Sequence, residues 1–233
     1  MYSVERSVRS EGEASVRYVD ACEGLSVSVA ESRCGALYLP SPEAAVGAGV
    51  IRNAFERPVG TPRLREIAKG DITASVLVSD ATRAVLTQAI VPYVMSELQA
   101  GGLRPENVTF IVATGVHRPA TDEEMRRILG PEWSGRVRIE NHDPYAEKRL
   151  AFLGATTYGT PVSVNRRAYE SDLRIVIGKV EPHEFAGFSG GRKSVLPGIA
   201  SEKTIRANHR PEMILDPAAA IGVYDDNPVS RDM

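Results

Sequence analysis

The sequence predicts an α/β fold in which a layered, mostly parallel sheet has flanking helices and follows an N-terminal segment of antiparallel strands. From Ile72 onward, short β-branched runs alternate with helical patterns, which is typical of parallel layered sheets. Residues 14–38 instead alternate polar and apolar side chains, as half-exposed antiparallel strands do. With 233 residues and 42% hydrophobic content, the chain is long enough to bury a sizeable core.

The strands are predicted from short β-branched or alternating runs that are bounded by polar residues. In chain order we expect them at residues 15–19, 25–29, 72–78, 108–113, 136–140, 161–164 and 173–180. The last of these is short, β-branched and bounded by charge, so it is expected to be buried.

The helices are predicted at residues 44–55, 63–68, from about 80 to 100, 122–129 and 202–210. Ser79 or Asp80 is suited to cap the third of them, and Thr121 with Glu124 forms a capping box for the fourth. Ser201 is expected to cap the last helix, which would contain His209 and end before Pro211.

Composition and charge exclude several classes of protein. The net charge of −2 and the pI of about 6.1 do not indicate a polyanion-binding surface, so no nucleic-acid partner is expected. No apolar run approaches the ~20 residues of a membrane helix, and the charged N-terminus is no signal peptide. Cys22 and Cys34 form neither a CxxC motif nor a disulfide framework. They are expected to be core residues of a cytoplasmic protein.

The segment 181–194 contains the most informative motif of the chain. It places His183 ten residues before Lys193, with Gly187, Gly190 and Gly191 between them. Glycines let backbone amides approach a ligand closely, because they tolerate positive φ. A lysine held on such a turn can bind a phosphate or attack a carbonyl group.

Two other interpretations of this segment remain open from the residues alone. A P-loop has glycine before its lysine, but Arg192 occupies that position here, and the glycine turn follows the preceding strand too late. A glycine-rich surface loop with a solvated lysine is the second alternative.

Three predicted strands are each followed by chemically useful side chains. Asp80 and Arg83 follow the first strand, His117 and Arg118 the second, and His183 and Lys193 the third. Because the carboxyl ends of parallel strands share one edge of a sheet, these residues are expected to lie together there. A purely structural interpretation would make Asp80 a helix cap and Arg83 a solvated cation of a first helical turn.

The four histidines, His117, His142, His183 and His209, do not form the i, i+4 pairs of zinc motifs. A single histidine is more often a packed or surface residue than a ligand. Spacing alone therefore leaves metal binding undecided.

Several motifs taken together resemble the nickel-pincer lactate racemase family. They are Ala113-Thr-Gly-Val-His-Arg-Pro119, Glu181-Pro-His183 with Gly190-Gly-Arg-Lys193, Asn208-His209, Ser79-Asp-Ala-Thr-Arg83 and the segment 58–70. The resemblance extends from about Pro58 to the C-terminus, and the order and spacing of the motifs make it specific.

The resemblance implies a cofactor derived from a pyridinium mononucleotide, with sulfur atoms on two ring substituents and a nickel–carbon bond. It implies that Lys193 carries the cofactor through a thioamide bond, near Asp80, Gly190 and Gly191, and that His209 completes the nickel coordination. His117 and His183 match a pair of acid–base histidines, and Arg83 matches a contact to the substrate carboxylate. His142 is expected to be structural.

The implied reaction suits these residue types. Removing the α-proton of a 2-hydroxy acid would leave a carbanion beside a carboxylate, whereas moving a hydride to an electrophilic ring carbon gives a planar 2-keto acid. Each antipode then needs its own base for the hydroxyl proton, and imidazole, with an ordinary pKa of about 6.5, suits neutral pH. Neutral imidazole is a suitable nickel ligand, and an arginine fork fits a carboxylate.

Residues 1–233 are therefore expected to form the N-terminal cofactor and catalytic domain of a lactate-like 2-hydroxy-acid racemase or epimerase. Its expected partners are the 2-hydroxy acid and cofactor-synthesis proteins. Members of the family are longer and have a second lobe, which this chain is expected to lack. The alternatives are a cofactor-binding domain or fragment without independent turnover, and a P-loop-like phosphotransferase, which the position of Arg192 disfavours.

Overall fold

A computed structural model describes residues 3–8, 13–19, 24–30, 48–83 and 85–233, which belong to two compact units. The first unit, up to residue 47, contains three antiparallel strands in the order β1 (Ser3–Val8), β2 (Glu13–Val19) and β3 (Gly24–Ala30). The two predicted strands here are confirmed, and β1 was not predicted. Cys22, Cys34 and the predicted helical residues 44–47 lie outside the described residues.

The second unit alternates strands and helices. Its elements are, in chain order, α1 (Ala48–Glu56), α2 (Leu64–Ile67), β4 (Ala74–Ser79), α3 (Thr87–Gly101), β5 (Val108–Ala113), α4 (Asp122–Leu129), β6 (Arg138–Asn141), β7 (Leu150–Ala155), β8 (Pro161–Asn165), α5 (Arg166–Glu170), β9 (Leu173–Ile177), β10 (Pro182–His183), β11 (Gly187–Phe188), α6 (Glu202–Asn208), α7 (Pro211–Ile214) and α8 (Pro228–Asp232). The predicted α/β class is confirmed.

The central sheet of this unit has four parallel strands in the order β6-β5-β4-β9. Alternate residues of each strand point to opposite faces. On one face Val76 and Phe110 share a core cluster with Val94 and Leu98 of α3. On the other face Leu77 and Ile111 belong to a second cluster with residues of β8, α5 and the segment after Lys193. Helices and loops therefore cover both faces of the sheet. In open sheets of this kind, ligands bind at the carboxyl ends of the strands.

The start of α3 differs from the prediction. The helix begins at Thr87 with Leu86 at its N-cap, and the side chain of neither Ser79 nor Asp80 caps it. The Asp80 carboxylate instead accepts hydrogen bonds from the main-chain N–H of Thr82, at 2.7 Å, and from its hydroxyl. Residues 80–83 and 85–86 consequently lie in an irregular connection between β4 and α3, which includes Arg83.

Other boundaries confirm or adjust the predictions. The capping box of Thr121 and Glu124 opens α4, and Ser201 caps α6, as expected. However, β9 ends at Ile177 instead of residue 180, and His209 follows the last residue of α6 instead of lying within it. The hairpin β7–β8 contains an unpredicted strand, and α7 and α8 were also not predicted. Among the described residues, no helix has the length and apolar character to cross a membrane.

Candidate active site

The carboxyl ends of β4, β5 and β9 bring together the side chains that the sequence singled out. Asp80 follows β4 directly, the loop with His117 follows β5, and β9 leads to the small β10–β11 hairpin and to Lys193. Because the three strands are parallel neighbours, one sheet edge holds all of these segments. This confirms the predicted shared edge.

Asp80 and His117 form the first functional pair. Nδ1 of His117 lies 3.0 Å from Oδ2 of Asp80, whose side chain is buried while that of His117 is partly exposed. Burial raises the pKa of Asp80, but hydrogen bonds from Thr82 and His117 outweigh this effect, so the pKa is lower than usual. An ionised Asp80 holds the imidazole proton on Nδ1 and leaves Nε2 available.

His183 and Lys193 form the second pair. His183 lies at the end of β10, and the hairpin turns back through Gly187, where a Cβ atom would lie 1.9 Å from the carbonyl oxygen of Val223. Only glycine fits that close approach. The turn and the following 3₁₀ helix, Gly191–Ser194, place Nζ of Lys193 2.8 Å from Nε2 of His183.

The surroundings of Lys193 favour its neutral amine. Burial, followed by the charges of Arg83 and Arg192, outweighs the opposite effect of Glu184 and lowers the pKa of Lys193 to about 8. This environment contradicts the alternative of a solvated surface lysine. The influence of Arg83 also indicates that the Asp80–His117 side of the edge lies near Lys193.

His209 is oriented by its own helix. Its Nδ1 lies 3.1 Å from the carbonyl oxygen of Ile205, so Nδ1–H donates to this oxygen and Nε2 carries the free lone pair. Burial and, secondly, the charge of Lys193 lower the pKa of His209, which favours the neutral imidazole that metals bind. Burial and Lys193 lower the pKa of His183 in the same way.

Phe185 is a site residue that the sequence analysis missed. Its ring meets the ring of His183 edge to face at 4.7 Å between centroids, and that of His209 at 5.1 Å. Nζ of Lys193 lies 5.4 Å from the same ring centroid. Phe185 thus packs against three of the predicted site residues. Periodicity gives no signal for this contact, because the tip of a hairpin creates it.

Arg192, considered before only as a departure from the P-loop, is a second missed residue. Its guanidinium donates to the carbonyl oxygen of Ala186 at 3.0 Å and lies 4.6 Å from the ring centroid of Tyr224. It therefore supports the hairpin that carries His183.

The two predicted arginines, Arg83 and Arg118, differ in whether their side chains already have a partner. The guanidinium of Arg83 has no hydrogen-bond or ion-pair partner among the described residues, so its fork remains available. Arg118 instead forms a bidentate pair with Glu124, at 2.6 and 2.8 Å, so its fork is already engaged. Gly190 and Gly191 have φ values of +81° and +47°, and a Cβ on Gly190 would lie 2.7 Å from a methyl group of Val180.

Gly198 connects the segment after Lys193 to the loop that contains His117. Its carbonyl oxygen accepts a hydrogen bond of 2.9 Å from the N–H of Gly115, in the loop that leads to His117. A Cβ on Gly198 would lie 2.3 Å from the carbonyl oxygen of Ser194 and 2.9 Å from Cβ of Ala113. The main chain after Lys193 therefore packs directly on the end of β5.

His142 is buried away from these pairs. Its Nε2 donates to the carbonyl oxygen of Ala200 at 2.9 Å, and its Nδ1 accepts from the side-chain amide of Asn165 at 3.4 Å. Burial lowers its pKa, so the ring stays neutral and links β6 to the segment after Lys193. Both ring nitrogens have protein partners, which suits the structural role expected for this residue.

No cluster of three or more His, Cys, Asp or Glu side chains with the geometry of a metal site occurs in the part of the chain that the structure describes. The described residues therefore offer isolated imidazole nitrogens, such as Nε2 of His209, instead of a complete coordination shell. Such a donor fits a metal whose other ligands come from a bound organic cofactor.

The sequence of residues 23–222 matches the model of the lactate racemase N-terminal domain. The chain belongs to the lactate racemase family. It is 39% identical over 184 residues to the lactate racemase of Thermoanaerobacterium thermosaccharolyticum, and the match covers 79% of this chain and 43% of that protein. The lactate racemase of Lactiplantibacillus plantarum is 38% identical over 184 residues, with 78% and 43% covered.

Solved structures give the same family and fold. The apoprotein structure of the T. thermosaccharolyticum lactate racemase superposes with a TM-score of 0.74 at 37% identity, covering 79% of this chain and 44% of that one. A Thermotoga maritima protein superposes with a TM-score of 0.64 at 28% identity, covering 79% and 46%. The chain thus spans less than half the length of these relatives. The predicted family is confirmed, and the individual roles of the site residues stay predictions.

Proposed function

We propose that this chain is the cofactor-carrying part of a racemase or epimerase that acts on a lactate-like 2-hydroxy acid by hydride transfer. The observation that carries the proposal is that Lys193, His183 and His209 pack around Phe185, and that the loop of His117 follows a strand of the same parallel sheet. They do so in a protein of the lactate racemase family.

The donor groups of this edge fit a nickel-pincer nucleotide. Lys193 would hold it covalently through an amine that loses its proton easily, and Nε2 of His209 would contact the nickel. The positive φ values of Gly190 and Gly191 leave backbone amides near the lysine that suit a phosphate. When bound, the cofactor would supply an electrophilic carbon that accepts a hydride and returns it.

The protein's own side chains would handle the charge and the protons of the substrate. Arg83 has a free fork for the carboxylate, and a fork of this kind binds carboxylates in two parallel hydrogen bonds. Nε2 of His117, oriented by Asp80, would take or return the hydroxyl proton of one antipode, and His183 that of the other. Two imidazoles on segments from different strands suit the two faces of a planar 2-keto acid.

The alternative is a cofactor-binding domain without independent turnover, and the length comparison favours it for the isolated chain. The 184 matched residues cover 43% of the related racemases, so groups outside this stretch are available to the longer proteins. We further propose that cofactor-synthesis proteins supply the cofactor to the chain, and that it works in the cytoplasm.

The test is to replace His117 or His183 by Asn in a longer racemase that contains this chain and is produced with the cofactor-synthesis proteins. Each variant should lose racemisation of L-lactate by ~10²–10⁴-fold, the usual contribution of general acid–base catalysis. Intact mass should still show the cofactor adduct. Arg118→Gln is the matched control, because Arg118 pairs with Glu124, and it should keep the parental rate.

If either histidine variant racemised lactate at nearly the parental rate, the two-base mechanism would be wrong. The 233-residue chain is assayed in parallel, after the same loading. If that chain carries the adduct but does not racemise lactate, while the longer protein does, then the isolated chain is a cofactor-binding domain without independent turnover.

A further inference from the structure

The amine of Lys193 engages Nε2 of His183, a contact that acid–base catalysis on a substrate does not require. Nε2 of His183, the nitrogen that would face a substrate hydroxyl, is engaged by the lysine amine at 2.8 Å. The His183 side chain is only 19% exposed, so little solvent competes for this contact. Without a bound cofactor, the imidazole is therefore paired with the nucleophile.

The opposite side of the imidazole has no strong partner. The main-chain N–H of Ala186 donates a long hydrogen bond of 3.4 Å to Nδ1 of His183, whereas Oε2 of Glu184, 3.6 Å from the same nitrogen, favours a proton on it. Both distances are longer than that of a strong hydrogen bond, so neither fixes the tautomer. A ring with its proton on Nδ1 presents the Nε2 lone pair to the amine.

The charges around the amine disfavour a standing ion pair. The groups that act on Lys193 are the cations Arg83 and Arg192 and the carboxylate of Glu184. No carboxylate forms an ion pair with Lys193 among the described residues. Lysines used as nucleophiles share this combination of a desolvated amine and neighbouring cations.

We propose that His183 is the general base for acylation of Lys193, so that the chain catalyses its own covalent loading before it takes part in turnover. The natural acyl group is the thiocarboxyl substituent of a pyridinium ring, and in this respect alone the inference rests on the proposed function.

The step balances as a condensation. The neutral amine nitrogen of Lys193 attacks the thiocarboxyl carbon, and a carbon–nitrogen bond forms. His183 accepts a proton from that nitrogen at Nε2 and passes it to the oxygen of the tetrahedral adduct. The carbon–oxygen bond then breaks, and the oxygen leaves as water with this proton and a second proton from solvent, because a thiocarboxyl group is ionised near neutral pH. Sulfur stays on carbon, which gives the thioamide without any oxidant or reductant.

Acylation then changes the role of His183. A thioamide nitrogen has no basic lone pair, because the lone pair is delocalised into the carbon–sulfur bond. The lysine can no longer compete for the proton of His183, so Nε2 becomes available for a substrate hydroxyl. The imidazole of His183 thus serves first in the acylation of Lys193 and then in proton transfer with the substrate. The order follows because Nζ of Lys193 stops competing for the proton once it is acylated.

The test measures acylation of the unloaded 233-residue protein by the N-hydroxysuccinimide ester of nicotinic acid. Labelling of each lysine is followed by peptide mass spectrometry at pH 7.5. Lys193 should react at least ~10-fold faster than Lys203, whose side chain is 79% exposed. His183→Gln should slow Lys193 by at least ~10-fold and leave Lys203 unchanged. Lys193→Ala confirms the assignment of the labelled peptide.

Glu184→Gln separates base catalysis from simple electrostatics. The Glu184 carboxylate raises the pKa of Lys193, so its removal should keep or increase the labelling rate. Labelling of Lys193 no faster than Lys203, or an equal Lys193 rate in folded His183→Gln, would overturn the proposal. If His183→Gln does not fold, the comparison of Lys193 with Lys203 can still be made in the parent and in Glu184→Gln.

Failure of this proposal is distinguishable from failure of the racemase assignment. If His183→Gln labels normally but the longer protein with His183→Asn does not racemise, the racemase assignment survives and self-loading is wrong. If labelling slows but His183→Asn racemises at the parental rate after loading, self-loading survives and the two-base mechanism is wrong.

Discussion

The orientation of single imidazoles distinguishes the roles of the histidines. His209 gives Nδ1 to a helical carbonyl and keeps Nε2 free, whereas both ring nitrogens of His142 have protein partners. His117 gives Nδ1 to a buried carboxylate, and His183 faces an amine. The sequence singled out His117, His183 and His209 through their motifs, but it could not supply these tautomers. They depend on partners that are distant in the chain, such as Asp80, 37 positions before His117.

The difference between His209 and His142 leads to a prediction about nickel. His209→Ala in loaded protein should lower the nickel content per chain at least ~10-fold, because it removes a free imidazole nitrogen that fits the metal. Inductively coupled plasma mass spectrometry measures the metal, and circular dichroism confirms the fold.

His142→Ala is the matched control for this experiment. It should destabilise the protein but leave the nickel content of the folded fraction unchanged. An equal loss of nickel in both variants would contradict the assignment of His209.

At the scale of elements, the sequence predicted strands better than connections. Strands β4 and β5 are almost entirely buried and rich in apolar residues, and their positions were found within about two residues. The start of α3 was wrong because Ser79 and Asp80 have the preferred chemistry of caps. In the structure Asp80 is used by Thr82 and His117 instead. Hydrogen bonds to Thr82 and His117 thus replaced the local preference for a helix cap, and local preferences are expected to fail where distant residues supply the partner.

A buried carboxylate ties α2 to α3 and leads to a prediction about pH. Glu97 of α3 is nearly buried and accepts hydrogen bonds from Arg63, at 2.7 Å, and from Arg65, at 2.6 to 3.1 Å. Burial raises the pKa of Glu97, but the two arginines outweigh this effect and lower it to about 2. The folded pKa is thus below the unfolded value of about 4.5, so the carboxylate stabilises the fold above pH 4.5. This stabilisation is lost as the pH falls toward 2.

Glu97→Gln should therefore lower the free energy of unfolding by about 1.5–3 kcal/mol at pH 7, the usual contribution of hydrogen bonds to charged groups. The difference from the parent should shrink steadily below pH 4.5. Urea denaturation at several pH values measures it, with the exposed Glu106→Gln as control. A difference that stays constant down to pH 3 would show that the ion pairs do not carry the effect.

At the scale of the whole second unit, one buried carboxylate joins three segments that are far apart in sequence. Asp232 of α8 accepts hydrogen bonds from the hydroxyls of Thr156, at 2.6 Å, and Thr160, at 2.7 Å, in the connection between β7 and β8. It also accepts one of 2.8 Å from the amide of Asn208, the residue before His209. The short helix α8 thus helps to place the residue assigned to nickel. No local pattern predicts this link, because it depends on separations of 24 to 76 positions.

Asp232→Ala should consequently have two effects. It leaves buried donors on Thr160 and Asn208 without their acceptor, so the free energy of unfolding should fall by about 3 kcal/mol, as measured by urea denaturation. Because Asn208 is released, nickel retention after loading should also fall, even under conditions in which the variant is fully folded. Asp226→Ala, at an exposed position six residues earlier, should change neither quantity. If Asp232→Ala lost stability but kept nickel as tightly as the parent, the network would support the fold without positioning His209.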